Sequence, residues 1–152
     1  MRKLAINIVW IKRDIRTLDH ESFHAAESKN IPYLPVYIFD NDLIQYPDTS
    51  HRHLGFIYNS LIDINKKLSS FNKEVEILYG PSLDIFQHLL SQYKIKNIFS
   101  YQESGIKQSW ERDIKVRNFC NENSINWIEF QRDGIIRGIK DRKNWNKNWH
   151  IQ

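Results

Sequence analysis

What most constrains this chain is an alternation of two periods. Short apolar runs of strand length recur along it, and between them apolar residues repeat at helical spacing. Residues 4–11 form the first run, with Ile6, Ile8, Val9, Trp10 and Ile11 close together. A helical pattern is expected over residues 19–30, with Asp19 as its N-cap and Glu21 in the first turn. Residues 33–39 read as a second strand. Pro35 lacks a ladder donor, so a bulge or one-sided pairing is expected there. Leu54, Ile57, Tyr58, Leu61, Ile64 and Leu68 lie three or four apart and predict one face of a long helix. Residues 74–79, 97–101 and 125–130 complete the strands, with helices expected after Gly80-Pro81-Ser82 and over residues 108–123.

Strands that alternate with helices and are apolar on both sides predict an α/β domain. The expected fold is doubly wound and Rossmann-like, a five-stranded parallel sheet with helices on both faces. Its connections should be right-handed. Ligands of such sheets bind at the carboxyl rim, where strand order reverses. The first run ends at that rim in Lys12-Arg13-Asp14-Ile15-Arg16. Charges cannot remain inside an apolar core, so they gather where the sheet opens to water. Arg13, Asp14 and Arg16 can pair with one another and with neighbouring loops. Such a knot either pins the loop or faces a ligand or another domain.

At 152 residues the chain suffices for one domain with a real core. No run approaches the ~18 apolar residues that span a bilayer, and the start does not read as a signal peptide. The single cysteine, Cys120, forms no internal disulfide and builds no cysteine-based zinc site; a reducing, cytoplasmic compartment is the default. The net charge of +4 is carried by the end of the chain. There Arg132, Arg137, Lys140, Arg142, Lys143 and Lys147 face only Asp133 and Asp141. This segment fits a solvated linker or a surface meeting another domain better than a nucleic-acid footprint. Residues 1–131 are therefore expected to form the domain and 132–152 a basic tail. Trp145 and Trp149, four apart in that tail, hint at a contact surface.

No G-x-G-x-x-G follows the first strand and no G-x-x-x-x-G-K-[ST] occurs, which disfavours a nucleotide held by a glycine-rich loop. The turn at Gly80-Pro81-Ser82 offers a helix N-terminus to an anion, though an ordinary turn accounts for it. His20 and His24 are four apart but have no third ligand, and are expected at the surface.

Several stretches resemble the DNA photolyase and cryptochrome family. "VWIKRDIRTLDHESF" resembles its opening motif, and "PVYIFD" its second strand and following turn. "HRHLGFIYNSLIDINKKL" resembles its next helix, with Arg52 and Phe56 in register. "ERDIKVRNFC" is similar to the helix after the fourth strand, and "NWNKNW" to the segment leaving the first domain. Asp19-His20-Glu21-Ser22-Phe23 stands where Asp-Asn-x-Ala-Leu is typical. The resemblance implies an N-terminal α/β domain that carries an antenna pigment of folate, flavin, deazaflavin or lumazine type. It implies a C-terminal helical domain, outside this chain, that binds FAD and receives the excitation. In photolyases the reduced FAD splits a pyrimidine dimer in DNA; in cryptochromes light is used for regulation. DNA would then be met through that second domain, and this chain alone would not repair. The pigment would sit among Trp10, Arg13, Asp14, Phe39, Asp40, Arg52, Glu103, Ser104 and Ile106. Deazaflavin-binding relatives place two acids where this chain has Ser104 and Ile106. A nucleotide-binding enzyme and a pure interaction domain are the alternative readings.

Overall fold

The first strand, β1 (Ala5–Ile11), has apolar residues on both parities and therefore needs cover on both faces. A computed structural model describes residues 3–131. The elements following β1 are α1 (Glu21–Glu27), β2 (Tyr33–Phe39), α2 (Asn41–Ile44), α3 (His51–Leu68), β3 (Glu76–Tyr79), α4 (Ser82–Gln92), β4 (Lys94–Tyr101), α5 (Lys107–Glu122) and β5 (Asn126–Phe130). All five strands are parallel, in the order β3-β2-β1-β4-β5. The chain thus steps outward from β1 to β3, then returns to the other side of β1. The reversal lies between β1 and β4.

Two cores result. Ile6, Ile8 and Trp10 pack with Phe86 and Leu89 of α4 and with Val116 and Phe119 of α5. Val9 and Ile11 point to the opposite face, against Phe23 and Ala26 of α1 and Leu61 and Ile64 of α3. Helices cover both faces, as the alternation predicts. Asn7 is the polar exception within β1. Asn7, Asn97 and Asn126 are register partners on three adjacent strands, with Asn97 Nδ2 donating to Asn7 Oδ1 (2.8 Å) and Asn126 Nδ2 to Asn97 Oδ1 (3.3 Å). Pro35 pairs with Val9, whereas the pairing of β2 with β3 begins at Val36. The proline is accommodated by one-sided pairing.

Several local expectations are corrected. Asp19 does not cap α1: its backbone is left-handed, with φ 51°. The cap is His20, whose extended backbone brings Nδ1 to 3.4 Å from the Phe23 N–H that it accepts. The helix is also shorter than its pattern, since the chain has left it before Asn30, where φ is 46°. Tyr58 belongs to the solvent side of α3 and is half exposed, while Leu61 and Ile64 make the buried contact. β4 begins at Lys94, three residues earlier than its apolar run, because Lys94 and Ile95 pair with Ala5 and Ile6. Gly80 has φ 142°, a conformation that favours glycine, as the chain turns from β3 into α4. Trp145, Trp149 and the basic tail lie outside the described residues.

Candidate functional site

Side chains alternate along a strand, and the alternation of β1 continues one residue past its end. Ile6, Ile8 and Trp10 face α4 and α5, and Lys12 follows them inward. Its Nζ lies 3.0 Å from Asp113 Oδ2 on α5 and 3.7 Å from Glu129 Oε1 on β5. It also sits over the rings of Trp10 and Trp127, at 4.8 and 5.5 Å. Burial lowers the pKa of Lys12, and the facing Asp113 opposes that shift. Arg112 grips Asp113 Oδ1 through Nε (3.0 Å) and Nη2 (2.7 Å) and lies 3.6 Å from Glu103 Oε2. Arg117 pairs with Glu129 and stacks over Trp127 at 4.2 Å. A continuous ionic frame thus joins β1, α5, β5 and the β4–α5 loop beneath the carboxyl rim.

The next residues of the cluster take separate partners. Arg13 Nε donates to Glu103 Oε1 at 2.9 Å. Asp14 turns to the α1 side, where its Oδ1 accepts from the Lys12 backbone N–H at 3.1 Å and its Oδ2 lies 2.8 Å from His20 Nε2. Both of those side chains are 1% exposed. Burial alone would raise the pKa of Asp14, but His20 and the Lys12 N–H together hold it below the usual value. His20 is thus no surface histidine: it is buried between Phe23 and Tyr101, with centroids at 4.6 and 5.2 Å. Arg16 lies over Tyr101 at 5.9 Å. The three charged residues do not pair with one another. Each ties the β1 exit to a different element.

A cleft of about 540 Å³ opens at this rim, between the ends of β1 and β2, the α2–α3 segment and the β4–α5 loop. That is the size of sites that bury a fused-ring ligand. Trp10, Arg13, Phe39, Asp40, Glu103 and Ile106 come together on its walls; Asp14, Arg52 and Ser104 are not among its lining residues. Arg52 is exposed, and its helical neighbour His53 reaches the cleft instead. Trp10 is a floor rather than a wall: it is 1% exposed and packs edge-on against Phe86 at 5.0 Å. Tyr37, Phe56, Leu43 and Ile57 also line the space. They belong to segments that pattern reading assigned to strand, helix or loop without a role. Burial pushes the Tyr37 hydroxyl up to about 12, so the phenol stays neutral.

Asp40 performs two caps. Its Oδ1 accepts from the Asp42 N–H at the start of α2 (3.1 Å). Its Oδ2 accepts from the Ser82 backbone N–H (2.8 Å) and the Ser82 hydroxyl at the start of α4. The helix N-terminus after Gly80-Pro81 is therefore filled by the chain's own carboxylate and is closed to a phosphate. Among the described residues no group of His, Cys, Asp or Glu could hold a metal ion, and no helix is long and apolar enough to cross a membrane.

The family model for DNA photolyase matches residues 7–141. The chain belongs to the DNA photolyase family. Among curated relatives of this photolyase-family chain, Cryptochrome-1 of Drosophila melanogaster is 26% identical over 130 residues, which cover 81% of this chain and 24% of that protein. Cryptochrome DASH of Arabidopsis thaliana, chloroplastic/mitochondrial, is 27% identical over 123 residues, 77% of this chain and 21% of that one. The chain thus spans about a quarter of the length of the relatives it matches. Its fold is that of an archaeal photolyase from Sulfolobus tokodaii, with a TM-score of 0.78, 23% identity, and coverage of 96% of this chain and 34% of that one. That photolyase is described as holding two FAD molecules and as implying a novel light-harvesting cofactor. A Synechocystis cryptochrome shares the fold at TM-score 0.74 and 16% identity, over 86% of this chain and 28% of the other.

Proposed function

We propose that residues 1–131 are the light-harvesting domain of a photolyase- or cryptochrome-type flavoprotein, and that the rim cleft holds an antenna pigment of folate, flavin, deazaflavin or lumazine type. Residues 132–152 would lead to a helical FAD-binding domain. That partner would take up the excitation and meet DNA, for pyrimidine-dimer repair or for signalling. The pigment, when bound, supplies absorption in the near-ultraviolet and blue.

The observation that carries this reading is the cleft itself: an aromatic-walled space beside the strand reversal, in a domain of this family. An antenna site must hold a flat ring rigidly and exclude water from it. Phe39, Phe56 and Tyr37 offer ring faces and edges, and the ionic frame under Trp10 fixes the floor. Of the nine residues assigned from sequence, six line this space, and Asp14 supports it from behind by holding the β1 exit to α1. Reading the cleft as a triphosphate site is disfavoured by the carboxylate of Asp40 on α4.

Reconstitution tests this. The purified chain is mixed in turn with methenyltetrahydrofolate, riboflavin, FMN, a deazaflavin and a ribityl-lumazine, and absorption and emission are recorded. A shifted, saturable spectrum with one pigment is the expected result. No spectral change with any of them would overturn the antenna reading.

A further inference from the structure

We infer that the cleft selects a flat aromatic ligand bearing a phosphate arm, and that Arg13 is the residue that selects it. This rests on the reading of the cleft as a pigment site.

The charged groups around the cleft differ in what they have left to offer. Asp40 gives both oxygens to the starts of α2 and α4. Glu103 is 4% exposed and is shared between Arg13 and Arg112. Lys12 and Arg112 are turned inward onto Asp113. No carboxylate is therefore directed at an incoming anion. Arg13 is the contrast. Its side chain is 54% exposed and lines the cleft. Its Nε is held by Glu103, while its two Nη groups make no hydrogen bond among the described residues. A guanidinium anchored through Nε presents its Nη edge as a ready fork, the geometry that takes a carboxylate or phosphate oxygen pair.

The local charge balance points the same way. Among the described residues of the rim frame, Lys12, Arg13, Arg112 and Arg117 stand against Glu103, Asp113 and Glu129, so one cation is in excess. Asp40 is answered by the first-turn N–H of α4. Of the three cations that line the cleft, Lys12, Arg13 and Arg112, Arg13 is the most exposed; His53 lines it from α3. Gly105 makes room for this arrangement. A Cβ there would stand 2.4 Å from Arg13 Nη2 and 2.6 Å from Glu103 Oε1, so any side chain would push the fork off its anchor.

FMN and riboflavin share one ring system and differ by a phosphate, and they are the probes. Dissociation constants are measured by flavin fluorescence on the 152-residue chain, on Arg13→Gln and on Gly105→Ala. The wild-type chain should bind FMN at least about tenfold more tightly than riboflavin, the factor that ~1.4 kcal/mol represents. That ratio should fall to within about twofold in Arg13→Gln, and Arg13→Lys should restore part of it. Gly105→Ala, which keeps the charge but moves it, should also lose most of the preference. Melting curves report whether each variant is folded. Equal affinities in the wild type, a preference that survives Arg13→Gln in a folded protein, or binding of neither flavin would each overturn the inference. If a folate or lumazine binds while neither flavin does, the antenna reading stands and this inference falls.

Discussion

Lys12 Nζ and Asp113 Oδ2 meet at 3.0 Å across 101 positions of sequence, with side chains 4% and 7% exposed. This contact fastens the exit of the central strand to the first turns of α5. A buried pair of this kind matters most when only one partner is removed, because the other is left charged and unsolvated. Asp113→Ala leaves Lys12 with only the more distant Glu129 and strips Arg112 of its closest carboxylate. It should cost about 3–5 kcal/mol. Lys12→Met should cost less, about 1–3 kcal/mol, because Asp113 keeps Arg112. Urea unfolding with an unchanged m-value checks both, since only the midpoint should move.

The Asp14–His20 contact predicts acid sensitivity with a definite sign. The folded-state pKa of Asp14 lies below its ordinary value of 3.8. The stability it contributes is therefore present above that value and is lost as pH falls through the lower, folded pKa. Asp14→Asn should be less stable than wild type at neutral pH, and the two stability curves should converge as pH falls below the ordinary carboxylate value of 3.8 and through the lower, folded one. Acid titrations followed by circular dichroism would show it; parallel curves would refute it.

Cys120 predicts the opposite limb. Burial pushes its thiol from 9.0 up to about 11, with Arg117 opposing. The unfolded chain therefore ionises first as pH rises past 9, and stability should decline between pH 9 and 11. Cys120→Ala should flatten that decline relative to wild type. Lys12 acts in the other direction over part of this range, because its lowered pKa makes the unfolded chain the stronger proton binder. The difference between wild type and Cys120→Ala isolates the thiol.

Asp40 can be tested through its two caps. Asp40→Ala exposes the first-turn N–H groups of both α2 and α4 and should cost about 1–3 kcal/mol. Ser82→Ala removes only the hydroxyl donor and should cost less. Asp40→Ala should also give α4 an open N-terminus, so inorganic phosphate should stabilise this variant more than wild type in a thermal melt.

The sheet was legible because β1, β2 and β4 are apolar on both parities, a pattern with few stable arrangements other than a sheet covered on both sides. Arg13 and Glu103 were legible as members of loops at the strand ends. Their pairing was not, because it depends on the register between β1 and β4, which includes an irregularity at Ile6/Asn7. Lys12 could have been read as inward-facing by extending the parity of Ile6, Ile8 and Trp10 by one step. His20 could not: its burial follows from a left-handed turn at Asp19, and aspartate adopts that conformation only in a minority of its occurrences. Arg52 and His53 show how small the margin is on a helix. One position is about 100° of rotation, enough to exchange which side chain meets the cleft.

The strand order has a consequence for how the molecule comes into being. β1 leaves the ribosome before the other strands of this sheet, and β2 can cover one of its edges soon after. Its other edge waits for Lys94–Tyr101, most of a domain later. Throughout that interval a nascent chain carries an open, strongly apolar ribbon, the kind of surface that chaperones bind and that neighbouring polysomes can misjoin.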